Sequence, residues 1–133
     1  MDVRACVDVS DIERAVAFYR DGLGLSAGRR YRQSWVEMLG APMPIDLLAE
    51  PEGSVPAANS RRSYQRHWTP VHFDFVVTDL EAAVARAVKA GATVDREIQK
   101  RPYGRIAVLA DPFGNGFCLL EMQGRGYDAL IDP

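Results

Sequence analysis

A chain of 133 residues is long enough for one domain or two very small ones. Hydrophobic residues make up 47% and charged residues 26%, ordinary globular usage that excludes disordered and fibrous classes. The 16 basic and 18 acidic side chains leave a net charge of −2, which argues against a nucleic-acid surface, and no apolar run approaches the roughly 20 residues that cross a bilayer.

The first residues, MDVRACVDVSD, alternate from Val3 to Val9 as a strand does and lack a basic segment followed by an apolar core. Two cysteines, Cys6 and Cys118, are too few for a disulfide scaffold and fit a reducing compartment, so a cytoplasmic location is expected. Ser10-Asp11-Ile12-Glu13 matches a capping box, with the hydroxyl accepting from an orphan amide and the glutamate reaching back. The helix that follows carries Ile12, Ala15, Val16 and Tyr19 on one face and ends at Gly22 and Gly24. Three short strands are expected next, over Leu25–Tyr31, Gln33–Leu39 and Met43–Ala49. Pro51–Ala58 reads as a linker, and Arg61–Trp68 is a basic stretch containing aromatics, either a lid or a charged connection.

From Val71 the pattern starts again. Residues 3–17 laid over residues 71–85 give identical pairs at Val3/Val71, Val9/Val77, Asp11/Asp79, Glu13/Glu81, Ala15/Ala83, Val16/Val84 and Ala17/Ala85. Such agreement marks two copies of one supersecondary unit. Thr78-Asp79-Leu80-Glu81 is the second capping box, Leu80, Ala83, Val84 and Val88 form the second helical stripe, and Gly91 ends it. Strands are expected over Thr93–Gln99, Gly104–Ala110 and Gly116–Met122. The predicted fold class is therefore α+β, with two βαβββ modules. Residues 1–50 make the first module, 51–69 a linker, 70–123 the second module and 124–133 a tail, within one structural domain. Tyr127 and Leu130 give that tail apolar groups to lay across a neighbour.

The phrases Ser10-Asp11-Ile12-Glu13-Arg14-Ala15-Val16-Ala17-Phe18-Tyr19, Gly22-Leu23-Gly24-Leu25, Pro102-Tyr103-Gly104-Arg105 and Asp111-Pro112-Phe113-Gly114-Asn115 carry a resemblance. Over residues 3–123 the chain resembles the vicinal oxygen chelate superfamily of glyoxalase I, extradiol dioxygenases, fosfomycin-modifying enzymes and bleomycin-resistance proteins. Gly114-Asn115-Gly116-Phe117-Cys118 is similar to its glyoxalase-like subgroup. The resemblance implies that each sheet curls into a cup, one face on its helix and one toward a ligand. It also implies a divalent ion held by side chains from the first and last strand of each module. Those positions fall on Arg4 and His72, and on or near Asp46 and Cys118. A guanidinium cannot ligate, and a thiol stands where magnesium, manganese or nickel chemistry uses oxygen. The usual metal site is thus expected to be missing and no cofactor is predicted; an ion, if present, would rest on His72 and Asp46.

Alternation sorts the remaining candidates. Val3, Ala5, Val7 and Val9 point one way and Arg4, Cys6 and Asp8 the other; Val71, Phe73, Phe75 and Val77 oppose His72, Asp74 and Val76. Arg4 either clamps an anionic ligand or neutralises Asp8 or Asp46. His72 and Asp74 form a candidate general-base pair or a hydrogen-bonded wall. Trp35, Trp68 and Tyr103, with Tyr64, are aromatic candidates for flanking a planar ligand; Phe18 and Tyr19 read as core and His67 as a loop residue. The expected ligand-binding set is Arg4, Asp8, Trp35, Asp46, Trp68, Tyr103 and Cys118, with His72 and Asp74 as catalytic candidates. Three functions compete. One is metal-free small-molecule binding of the resistance or sequestration type. The others are a metal-dependent lyase or dioxygenase, and a metal-independent enzyme using His72 and Asp74 as base. The expected partners are a small molecule and a second copy of the chain in a homodimer, with no nucleic acid and no membrane.

Overall fold

The computed structural model describes residues 1–131; Asp132 and Pro133, the end of the expected tail, lie outside the described residues. The chain divides into two compact units, Met1–Gln65 and Arg66–Pro133. The first runs β1 (Ala5–Val9), α1 (Ile12–Asp21), β2 (Ser26–Tyr31), β3 (Trp35–Leu39) and β4 (Ile45–Ala49). The second repeats that order as β5 (Phe73–Val76), α2 (Leu80–Lys89), β6 (Thr93–Arg101), β7 (Gly104–Ala110) and β8 (Gly116–Met122), then a short 3-10 helix at Gly126–Leu130. The sheets are ordered β1-β4-β3-β2 and β5-β8-β7-β6, each with one parallel pair, β1 with β4 and β5 with β8. No helix among the described residues is long and apolar enough to cross a membrane.

In the first unit α1 packs on β2, β3 and β4. Its Ile12, Ala15, Val16, Phe18 and Tyr19 are buried together with Val7, Val9, Val36, Met38, Ile45 and Leu47. Each large side chain there contributes about 1.5–3 kcal/mol of burial free energy. The cap sits one residue later than the capping-box reading places it. Asp11, not Ser10, is the N-cap and accepts from Arg14 N–H at 3.0 Å, as Asp79 does from Ala82 N–H at 3.1 Å. Glu13 and Glu81 turn outward to Arg30 and Arg105 instead of reaching back. The shorter carboxylate reaches the third amide without strain, and an arginine on the neighbouring sheet offers each glutamate a full charge.

In the second unit the buried helical positions are Leu80 and Ala87, and Val88 is exposed. Position i+7 lies closer to the helical repeat than i+8, so the predicted stripe is corrected at its last member. Both modules also start later than the alternation suggests. Val3 and Val71 precede their strands and are exposed at 59% and 83%, so neither packs on a helix. Arg4 and His72 consequently sit immediately before β1 and β5. The outermost strands β2 and β6 are broken by register shifts and largely exposed.

Candidate functional site

The face of the first sheet opposite α1 is polar by register. Cys6 pairs with Asp46 and Asp46 with Glu37, which puts the three on one face; Asp8, Leu48 and Trp35 form the next row. Glu37 and Asp46 are buried at 4% and 8% exposure, where unpaired charges are costly. Arg4 resolves that cost. Its Nε donates to Asp46 Oδ2 at 2.8 Å, and its Nη2 donates to Asp46 Oδ1 and Glu37 Oε2, both at 2.6 Å. Arg29 closes the other side of Glu37 with Nε at 3.1 Å and Nη2 at 2.7 Å. Two guanidinium groups balance two carboxylates, so the cluster is neutral. Arg4 takes the pairing role with Asp46 and adds Glu37; Asp8 instead receives Arg62 Nε at 2.8 Å.

The segment after β4 folds back on this unit. Gly53 N–H donates to Arg62 O and Arg62 N–H to Ser54 O, each at 2.8 Å, and Tyr64 hydroxyl donates to Glu50 O at 2.6 Å. Tyr64 is thus tied down by its hydroxyl, and Arg62 is carried to Asp8 by the same turn.

The guanidiniums of Arg29 and then Arg4 hold the Glu37 carboxyl at about 2, well below its usual 4.5. A carboxyl depressed in the folded state stabilises it above the unfolded value, and that stabilisation is lost as pH falls from about 4.5 toward 2. Glu37→Gln is therefore expected to flatten the acid limb of the stability profile over that window. Urea-unfolding midpoints between pH 6 and pH 2 read this out; an unchanged slope refutes it.

The second unit assembles a different cluster. Asp74 on β5 is in register with Cys118 on β8, and His72 Nδ1 lies 3.1 Å from Asp74 Oδ1. In the neutral ring that contact keeps the proton on Nδ1 and leaves Nε2 as an acceptor. The Cys118 thiol, hydrogen-bonded to Asp74, is pushed up to about 11, first by burial and then by the Asp74 charge. It stays protonated at neutral pH. Cys6 is exposed rather than buried in the cup, and partial desolvation with Asp8 and Asp46 raises its thiol too. Arg62 draws the Cys6 thiol down by less than burial and the two carboxylates push it up, so neither sulfur is activated as a nucleophile.

Trp68 stacks on His72 with ring centroids 4.5 Å apart and planes at 42°. The indole is packed on one side: Arg66 lies over its ring at 5.8 Å, and Gly116 leaves it room, since a Cβ there would come within 2.9 Å of the indole. His67 is not a free loop residue; its N–H donates to Gly114 O at 3.3 Å and it bridges to Asn115. Tyr103, on the β6–β7 turn, meets Tyr127 at 5.0 Å. Tyr127 is close enough to Asp74 and Cys118 for both to raise its phenol, after burial.

Of the expected residues, the structure joins Arg4 with Asp46 in one unit, with Asp8 and Trp35 a row away on the same face. In the other it joins Trp68, His72, Asp74 and Cys118, with Tyr103 reached through Tyr127. His72 and Asp46 belong to different units, and Asp46 is spent on Arg4. Glu37, Arg29, Arg62 and Tyr127 were not expected. A lone charge in Trp-Val-Glu-Met-Leu was the one available signal for Glu37; Tyr127 was read only as an apolar group of the tail, and the glycine turn at 124–126 carries it to Tyr103.

Residues 4–120 match the glyoxalase-like domain family. The chain belongs to that family. The glyoxalase-like chain is 33% identical over 127 residues to the anthracycline biosynthesis protein DauV of Streptomyces sp. (strain C5), covering 92% of this chain and 41% of DauV. It thus spans about two fifths of that relative. A glyoxalase/bleomycin resistance protein/dioxygenase family enzyme from Burkholderia phytofirmans superposes with a TM-score of 0.71 at 20% identity, over 92% of this chain and all (100%) of that one. TnmS3, an antibiotic binding protein from Streptomyces sp. CB03234, superposes at 0.64 with 24% identity, over 92% and 96% of the two chains. The glyoxalase-like domain match supports the vicinal oxygen chelate assignment, and the solved structures share its fold.

Superfamily members often use a metal, and His72, Asp74 and Cys118 present donor atoms within 4.8 Å of one another. The superfamily's oxygen-rich divalent set nevertheless does not fit these residues. Arg4 carries a fixed positive charge and cannot ligate, and Cys118 offers sulfur where that set uses oxygen.

Proposed function

We propose that this glyoxalase-like chain binds a planar small molecule against Trp68, His72 and Tyr127, without the superfamily's usual ion. The observation that carries the reading is Trp68: a half-exposed indole packed on one side by Arg66 and Gly116, with its ring tilted against an imidazole. A rigid aromatic wall beside one oriented acceptor suits a flat ligand bearing a hydroxyl. Asp74 makes the surroundings unfavourable to carboxylates and phosphates. DauV acts in anthracycline biosynthesis and TnmS3 binds an antibiotic, by their names, which supports a polycyclic aromatic ligand. Arg4, Asp8, Trp35 and Asp46 then serve as the polar wall of the first module. The segment 51–69 works as a strap between modules 1–50 and 70–123, and the tail from 124 supplies Tyr127. The site acts in a cytoplasmic homodimer; sedimentation of the purified chain at the monomer mass counts against pairing.

Titration with a hydroxyanthraquinone, followed by tryptophan fluorescence, tests the reading. Trp68→Ala is expected to weaken binding about tenfold, the loss of one aromatic stacking contact. Equal affinity for parent and variant overturns it. A second reading rests on the 3.1 Å His72–Asp74 contact: the pair would act as a metal-independent base in a lyase or dioxygenase reaction. His72→Ala would then abolish turnover, a loss far beyond the about tenfold drop in affinity expected from its hydrogen bond and ring contact alone.

A further inference from the structure

We infer that Arg4 is the resident cation of the first unit, a tethered charge filling the place of a divalent ion between Asp46 and Glu37. The inference rests on the metal-free part of the reading above and extends it to a physical cause. Three features support it. Glu37 and Asp46 come from adjacent strands in direct register, so their carboxylates converge on one point instead of dispersing into solvent. Both are buried, and such a pair requires a cation in the folded state. Arg4 meets the need from just outside β1, binding Asp46 through two atoms and Glu37 through one, with the N···O distances of charge-assisted hydrogen bonds.

Arg29 does not make Arg4 redundant. It binds only Glu37, and its side chain is mostly exposed. Removing the Arg4 guanidinium leaves the cluster one positive charge short, with Asp46 deprived of its partner and three carboxylate oxygens facing the vacated space. Hard oxygen donors in that arrangement suit manganese or magnesium. Asp8 is held by Arg62 and does not compete for the charge. The Cys6 thiol, in register with Asp46, is a soft donor that manganese and magnesium disfavour.

The test uses the whole chain and Mn2+ alone, with free Mn2+ counted by its aqueous electron-paramagnetic-resonance signal. Arg4→Ala is expected to take up one equivalent of Mn2+ more than the parent chain under the same conditions. Arg4→Lys, which retains a charge, and Arg4→Ala combined with Asp46→Asn, which removes the converging donor, are expected to take up no more than the parent. Equal uptake by parent and Arg4→Ala, with both folded by circular dichroism, overturns the inference. Should Arg4→Ala be unfolded, recovery of its folded spectrum on adding Mn2+ supports it and failure to recover overturns it. Because the readout sits in the first unit, its failure is distinguishable from failure of ligand binding at Trp68.

Discussion

Gly104→Ala is expected to lower the melting temperature by roughly 10 °C or more, corresponding to a loss of about 3 kcal/mol. Gly104 opens β7 at φ +148°, a conformation L side chains rarely adopt, and a Cβ there would stand 2.0 Å from Glu121 O and 2.9 Å from Gln123 N. The backbone cannot withdraw. Gly104 is in register with Met122, and Gln123 N–H donates to Tyr103 O at 3.0 Å across the same turn. The damage would travel, since Glu121 accepts from Leu80 N–H at 2.9 Å and ties the start of α2 to β8. Tyr103 would lose its station against Tyr127 as well. Differential scanning calorimetry of the parent and variant decides the matter; a shift below about 2 °C is incompatible with the backbone contact.

Asp111→Ala is the second large effect. Asp111 is buried at the head of the Asp-Pro-Phe-Gly-Asn turn. Its Oδ1 accepts from Phe113 N–H at 2.8 Å and Asn115 N–H at 3.0 Å, and its Oδ2 accepts from Asn115 Nδ2 at 3.0 Å. Alanine removes the Asp111 acceptor from three donors at once, for which a loss of about 3 kcal/mol is expected after partial rehydration. Asp111→Asn, keeping one acceptor, should fall between parent and alanine. The turn also holds the segment that presents Trp68, because Gly114 O accepts from both His67 N–H and Arg66 Nη1. Loss of the turn should therefore red-shift tryptophan emission and weaken hydroxyanthraquinone binding together with the drop in urea midpoint. A variant that loses stability yet keeps the parent's emission would show that the turn and Trp68 are independent.

The duplicated βαβββ order was legible because it is written in local rules: alternation, a cap, a helical stripe, a glycine, then three runs bounded by turns. The Asp111–Asn115 turn was legible for the same reason. What escaped was decided by partners far away in the chain. Nothing near Arg4 says that it binds Glu37, 33 residues on, in addition to Asp46. The cap register slipped by one because Ser10 and Asp11 are both competent, and only geometry chooses between them. His72 beside Asp74 was readable from strand alternation, but the Trp68 stack was not, since it depends on Gly116 leaving room for an indole. Likewise, both thiols were placed on the inner face by alternation, yet only Cys118 is covered by neighbouring chain.

The two outermost long strands, β2 and β6, have a bearing on how the protein behaves at high concentration. Each ends its sheet with unpaired amides and carbonyls, a template on which a foreign strand can grow. Both are interrupted, β2 between Ala27 and Arg30 and β6 twice between Val94 and Gln99. Arg29 and Arg30 crowd the first, and Asp95, Arg96, Glu97, Lys100 and Arg101 the second. A strand that is kinked and carries such charges resists zipping to its like, so these two borders, unlike the opposite edges β1 and β5, are guarded against growth.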